Sequence, residues 1–303
     1  ETTGLDPSRH RLFLAAVRLP TGATVLLEAE TVDDAGEAAL IHRLAATITA
    51  ADPDVIENHN LHGFDLPFLV ERARRLRVPL VLGRLPSVPL RTRGAMRGAP
   101  AGGLGAAMGG GRGQRIRYVM PGRELIDTLD AVRRHDFSAR DLPGHGLKAV
   151  ARHFGLARED RVEIRGDRIF AVYQHDPERV RRYAASDVEE VEGLARVLGG
   201  AAFSLARMAP RRYERLADAG AATGVIDPML VRAYLRAGAA LPAHADAPSI
   251  THTGAALHLF AAGVPRRVVK ADVASLYPSL MRAYQIGPAR DHLGALLALV
   301  DGL

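Results

Sequence analysis

The sequence predicts an α/β fold in two parts, and three observations carry that expectation. Two short apolar runs joined by a turn open the chain, strands and amphipathic helices then alternate as far as residue 198, and the pattern is less regular beyond it. One domain is expected over residues 1–199 and a second over 200–303, divided at Gly199-Gly200.

Taken in order, residues 12–17 (LFLAAV) and 24–29 (TVLLEA) flank Pro20, Thr21 and Gly22 and predict a hairpin. Residues 37–50 have helical spacing, and residues 54–57 around Val55 and Ile56 form a short buried strand. Asp65 is placed to cap the next helix, with Pro67 in its tolerant first turn and Leu66, Leu69, Val70, Ala73 and Leu76 as its apolar stripe. The arginines at 72, 74, 75 and 77 are read as its solvated face. From about residue 91 to 115 the chain is glycine-rich without periodicity, a flexible surface insertion; it lacks the G-K-[ST] ending of a phosphate loop. Structure resumes at 123–128 (RELIDT), followed by the helix HGLKAVARHFGL and by a second helix from Asp176-Pro177 to Leu198, stopped by Gly199-Gly200. Later, 211–220 and 228–238 read as helices, Pro265 to Asp272 as a strand, and Ser275 onward and the final LGALLALVDGL as helices.

Composition narrows the chemistry. The 303 residues, 48% hydrophobic and 24% charged, suffice for two cored domains, and no window approaches a membrane span. The absence of cysteine excludes disulfides, thiolate metal sites and cysteine nucleophiles, and suits a reducing interior, an intracellular and cytoplasmic setting. A net charge of +6 permits a polyanionic partner. Nearly all of the positive charge is arginine, with Lys148 and Lys270 the only lysines, a bias that base composition of the coding sequence also produces.

Three acidic groups recur in a particular order. They are Glu1 in ETTG, Asp65 in the N-x3-F-D stretch from Asn60, and Asp187 in the Y-x3-D stretch from Tyr183. A spacing of four puts Tyr183 and Asp187 on one helix face, one turn apart. Singly, each has a plain reading: a loop, a helix cap, a surface pair. His59 and His62 form an H-x-x-H that reads as loop residues beside a cleft rather than as a zinc site, and His135-Asp136 reads as a lone pair.

Together the three groups resemble the DEDD 3′-5′ exonucleases whose third motif carries tyrosine, in particular the proofreading domain of family B DNA polymerases. The resemblance implies a ribonuclease-H-like mixed sheet with flanking helices and two divalent ions, magnesium or manganese. Glu1 and Asp187 would hold the ion that activates water, Asp65 would support the second, and Tyr183 would orient the attacking water. Asn60 and Phe64 would meet the DNA, Phe64 by stacking on a terminal base unless it is core. The family's first motif reads Asp-x-Glu-Thr, so an aspartate bridging both ions is expected two positions before Glu1, and little trimming is expected from these residues without it.

A second resemblance lies in KADVASLYPSLMRAYQIGP. Asp272 with Ser275, Leu276, Tyr277, Pro278 and Ser279 matches the first palm motif of the same family, D-x-x-S-L-Y-P-S. It implies the start of an α+β palm in which residues 268–271 form a buried strand that delivers Asp272 as a metal ligand. Ser275, Leu276 and Tyr277 would then bind an incoming deoxynucleoside triphosphate, with Tyr277 under its sugar. Both ends of the chain read as cut, ahead of the fingers, second palm motif and thumb, so synthesis by these residues alone is not expected. The implied partners are primer-template and single-stranded DNA, with a sliding clamp for the parent protein and no membrane. Rival readings are a stand-alone DEDD nuclease, against which residues 266–288 argue, and an inert DNA-binding or scaffold module.

Overall fold

Alternation of apolar residues in the first hairpin sets the core of the molecule. β1 (Leu14–Arg18) pairs antiparallel with β2 (Thr24–Glu28), with Ala16 opposite Leu26, and Gly22 at φ 84° supplies the left-handed turn residue. Because successive side chains point to opposite faces, Ala16 and Leu26 join one apolar cluster and Ala15 and Leu27 another. The structure, a computed structural model, describes residues 1–93, 116–218, 220, 222–243, 258–260, 262–264 and 266–302.

Helices cover both faces of the hairpin. On one side α1 (Asp34–Ala51) and α2 (Leu66–Leu76) contribute Leu40, Ile41 and Phe68 to a cluster with Leu12 and Ala29. Asp33 caps α1 by accepting from the Gly36 N–H at 2.8 Å. The cluster also contains a buried ion pair that the sequence reading misses: Arg72, assigned there to a solvated face, is buried and grips the fully buried Glu37 through two hydrogen bonds of 2.9 and 2.5 Å. Glu37 accepts as well from the Leu12 N–H at 2.9 Å, and Arg72 donates to the Pro7 carbonyl at 3.2 Å. Arg74 and Arg75 are exposed and pair with Glu71.

β3 (Val55–Asn58) follows α1 and pairs in parallel with β6 (Glu124–Asp127). Between them β4 (Arg91–Arg93) pairs antiparallel with β5 (Arg117–Val119). Residues 91–93, the start of the predicted glycine-rich insertion, are thus a strand; its remainder, 94–115, lies outside the described residues. The described strands form three two-stranded sheets, one parallel and two antiparallel, in a mixed α/β arrangement.

After β6 come α3 (Thr128–Ala139), α4 (Leu147–His153), α5 (Ile169–His175) and the long α6 (Pro177–Met208). Ile169, Val180, Tyr183 and Ala184 pack on Phe13 and Leu14, covering the hairpin's second face. The helix does not stop at Gly199-Gly200. A Cβ at Gly199 would lie 2.9 Å from the Tyr213 hydroxyl, so this glycine lets α7 (Tyr213–Asp218) approach α6 closely. Buried Ala202 and Ala209 carry the packing onward. The boundary between compact units accordingly falls between Val225 and Ile226 rather than at 199/200.

The second unit contains α8 (Asp227–Arg236), α9 (Leu276–Tyr284) and α10 (Ala295–Asp301). Tyr234 is its buried anchor and donates to Asp291 at 2.7 Å. The strand expected to end at Asp272 does not form: residues 266–273 have no strand partner among the described residues, and Val268 and Val269 are 72% and 92% exposed. A strand is stable only when its backbone groups are paired by a neighbour and one face is covered. Among the described residues no helix is long and apolar enough to cross a membrane.

Candidate active site

Three chain segments far apart in sequence meet at one cavity of about 1100 Å³ in the first unit, and Glu1, Asn60, Phe64, Asp65, Tyr183 and Asp187 all line it. Glu1 is held by its backbone, whose carbonyl accepts from the Phe13 and Leu14 N–H groups at 3.1 and 3.4 Å, beside a bridge between Thr2 and Leu12. The start of β1 thus fixes the first carboxylate.

Asp65 arrives by a different device. Asn60 takes the left-handed conformation at φ 63°, and a π-helical turn, Leu61–Asp65, runs directly into α2. Gly63 is needed there because a Cβ would sit 2.2 Å from the Asn60 Oδ1. Asp65 is already helical in backbone and makes no capping hydrogen bond, which corrects the expectation that it caps α2. The extra turn moves the helix start upstream of it. The aspartate that does hold the backbone is the buried Asp127 at the end of β6: it accepts from the N–H groups of Asn60 at 2.8 Å, Leu129 at 3.1 Å and His62 at 3.3 Å. One carboxylate therefore caps α3 and ties down the turn that presents Asp65.

Tyr183 and Asp187 project from one face of α6, as their spacing requires. Around them stand groups that the motifs do not include. The Lys148 ammonium lies 4.4 Å from the centroid of the Tyr183 ring and donates to the Ile164 carbonyl at 3.0 Å. Arg161 donates to Asp187 at 2.5 Å and also pairs with the buried Glu190. Of these, Lys148 has a sequence signal, as one of two lysines in a chain that otherwise uses arginine. Asp127 lies inside a strand-like run, and nothing distinguishes Arg161 or Glu190 from surface charges.

The electrostatics show how crowded the carboxylates are. Burial pushes Asp65 up to about 7, and the charges of Asp127 and Glu1 add to the shift. Burial likewise pushes Asp187 up to about 6, with Glu1 raising it further and Arg161 and Lys148 opposing. Tyr183 is raised first by burial and then by Asp187 and Glu1, so its phenol stays protonated. Glu1 is the common neighbour of the other three.

Of the remaining sequence-selected residues, His59 and Phe64 also line the cavity, and the others lie outside it. His59 contacts the Thr128 hydroxyl at 3.0 Å and the His145 carbonyl at 2.9 Å, whereas His62 accepts from the Tyr118 N–H at 3.1 Å, so the two imidazoles serve different partners. Phe64 is half-buried, tilted against Phe68 at 5.6 Å between centroids, with its remaining face in the cavity. In the second unit Asp272 is exposed and accepts from the Val273 N–H at 3.0 Å, Ser275 is left-handed at φ 51°, and Leu276 and Tyr277 are exposed at the start of α9.

Residues 23–150 match the family described as DNA polymerase family B, exonuclease domain. DNA polymerase 2 of Aeropyrum pernix is 28% identical over 290 residues, 93% of this chain and 32% of that protein. The DNA polymerase delta catalytic subunit of Bos taurus is 26% identical over 82% of this chain and 22% of its own length. The structure of the family B DNA polymerase from Pyrobaculum calidifontis superposes with a TM-score of 0.63 at 25% identity, over 94% of this chain and 34% of that one. The chain thus spans about a third or less of these relatives. By sequence match and by fold, residues 23–150 are similar to the exonuclease domain of family B DNA polymerases, and the chain is similar to part of such polymerases.

Proposed function

We propose that the cavity removes nucleotides from the 3′ end of DNA by metal-dependent hydrolysis, as the proofreading site of a DNA-copying enzyme, within a ribonuclease-H-like domain. The observation that carries the reading is that Glu1, Asp65, Tyr183 and Asp187 line one cavity, with the charge of Glu1 acting on the other three. The donor set suits magnesium or manganese: it is all oxygen, and its crowded carboxylates are driven toward protonation, an excess of negative charge that a divalent cation offsets. Ions held by Glu1, Asp65 and Asp187 would neutralise the scissile phosphate and make a bound water acidic enough to attack.

The chain's own groups do the rest. Tyr183, kept a neutral phenol one helical turn from Asp187, orients the attacking water. Lys148 fixes the Tyr183 ring from above and offsets carboxylate charge. Phe64 offers a face to a terminal base, Asn60 borders the same opening, and Arg18, Arg152 and Arg196 at the cavity wall suit a phosphate backbone. In the whole protein, Asp272, Ser275, Leu276 and Tyr277 would bind a metal and the deoxynucleoside triphosphate during synthesis on primer-template DNA, with a clamp as partner.

The test uses a protein that begins upstream of Glu1, a single-stranded DNA oligonucleotide and manganese. Trimming from the 3′ end is expected, and Asp187→Asn should abolish it. Full trimming by that variant would remove α6 from the catalytic site.

A further inference from the structure

Outside the cavity, one cluster of side chains has the composition of a metal site. His135 near the end of α3, Asp141 in the following loop and His153 at the end of α4 bring one ligand atom each to within 4.8 Å of one another. The His135 Nε2 lies 3.2 Å from one Asp141 oxygen, and the His153 Nε2 lies 3.5 Å from the other. Ligands about 2.0–2.1 Å from a tetrahedral zinc ion are about 3.3 to 3.4 Å apart. The two spacings lie near that edge length, although each runs to a different Asp141 oxygen and the His135 contact is within hydrogen-bond range, so the Asp141 carboxylate would turn to bind through one oxygen. None of the three residues lines the cavity.

The rings are also held in place. Phe154 meets both imidazoles edge to face, at 5.2 Å from His135 and 5.0 Å from His153. His135 is half-buried while Asp141 and His153 are exposed, so Phe154 is the shared contact that orients the two rings, and this orientation lowers the entropy lost on binding. Two imidazoles and one carboxylate are a borderline-soft set that favours zinc over magnesium, unlike the all-oxygen set of the cavity.

We propose that His135, Asp141 and His153 form a zinc site that staples the α3–α4 loop, with water completing the coordination. The consequence is positional. That loop carries His145, whose carbonyl contacts His59 at 2.9 Å, and leads into Gly146, Leu147 and Lys148 at the cavity wall. A zinc ion there fixes the entry to α4 and hence the lysine over the Tyr183 ring.

The test is titration of the metal-free chain with zinc by calorimetry, and with cobalt as a visible-absorption probe. It is run in an Asp65→Asn/Asp187→Asn background so that cavity carboxylates do not contribute. One zinc equivalent is expected, together with the visible bands of four-coordinate cobalt bound through nitrogen. His153→Ala, and separately the milder His135→Asn, should each weaken zinc binding by more than about tenfold. Zinc should also slow proteolysis in residues 140–146 of the unsubstituted chain. Absence of binding, binding unchanged by either histidine substitution, or a six-coordinate, oxygen-type cobalt spectrum would each overturn the proposal. None of these outcomes depends on nuclease activity.

Discussion

Replacing Asp65 with asparagine isolates the electrostatic strain of the cavity. Burial, reinforced by Asp127 and Glu1, raises the Asp65 carboxyl from 3.8 to about 7 in the folded chain. Each unit corresponds to roughly 1.4 kcal/mol, so holding this group ionised in the metal-free fold costs up to about 4 kcal/mol above neutral pH, less where cavity water screens the charge. The sign follows from the raised folded value: the group's contribution to stability is complete below its unfolded pKa and is lost as pH rises through about 7. Asp65→Asn should therefore match the parent near pH 4 and exceed it in stability by a few kcal/mol at pH 8, both measured with chelator and no added metal. Manganese should restore stability to the parent at pH 8 and do much less for the variant. Urea denaturation followed by circular dichroism at both pH values measures this difference. A variant less stable than the parent at pH 8, or a difference that does not change between pH 4 and 8, would refute the account of Asp65 as a strained ligand.

Other expectations follow from buried pairs. Arg72→Met leaves Glu37 charged, buried and without its two guanidinium hydrogen bonds, which should cost about 3–5 kcal/mol and lower the melting temperature; Arg74→Met on the exposed side of the same helix should change little. Asp127→Asn leaves one acceptor oxygen for the N–H groups of Asn60, His62 and Leu129, with a loss of about 1–3 kcal/mol and faster amide exchange at Asn60 and His62. Unchanged exchange at those amides would show that the turn stands without Asp127.

Much of the fold was legible in the sequence because local chemistry and tertiary packing agree there. The hairpin, α1 and β3 follow from apolar periodicity and turn residues, and both faces of the hairpin are covered. The misreadings are places where a residue's usual meaning gives way to packing. Gly199 marks a close helix approach rather than a helix end, Asp65 lies inside a longer helical run, and Arg72 is turned inward by a glutamate 35 residues away. Residues 268–271 have the composition of a buried strand and no neighbour to pair with among the described residues. At the site, the motif spacings led to Glu1, Asp65, Tyr183 and Asp187, all of which line the cavity. Among the supporting residues Lys148 stands out by its rarity, whereas Asp127 and Arg161 stay hidden because Asn60 and Asp187, which they hold, are remote in sequence.

The Glu37–Arg72 pair reaches further than its own helices. Through Leu12 and Pro7 it clasps both sides of the opening loop, and the strand that begins just after Leu12 carries the backbone bonds on which Glu1 rests. A lesion at position 37 or 72, wholly enclosed by protein and outside the cavity lining, would thus slacken the support of the first acidic side chain. Loss of the proposed trimming in such a variant would be a mechanical failure, transmitted along the polypeptide from an anchor point to the cavity.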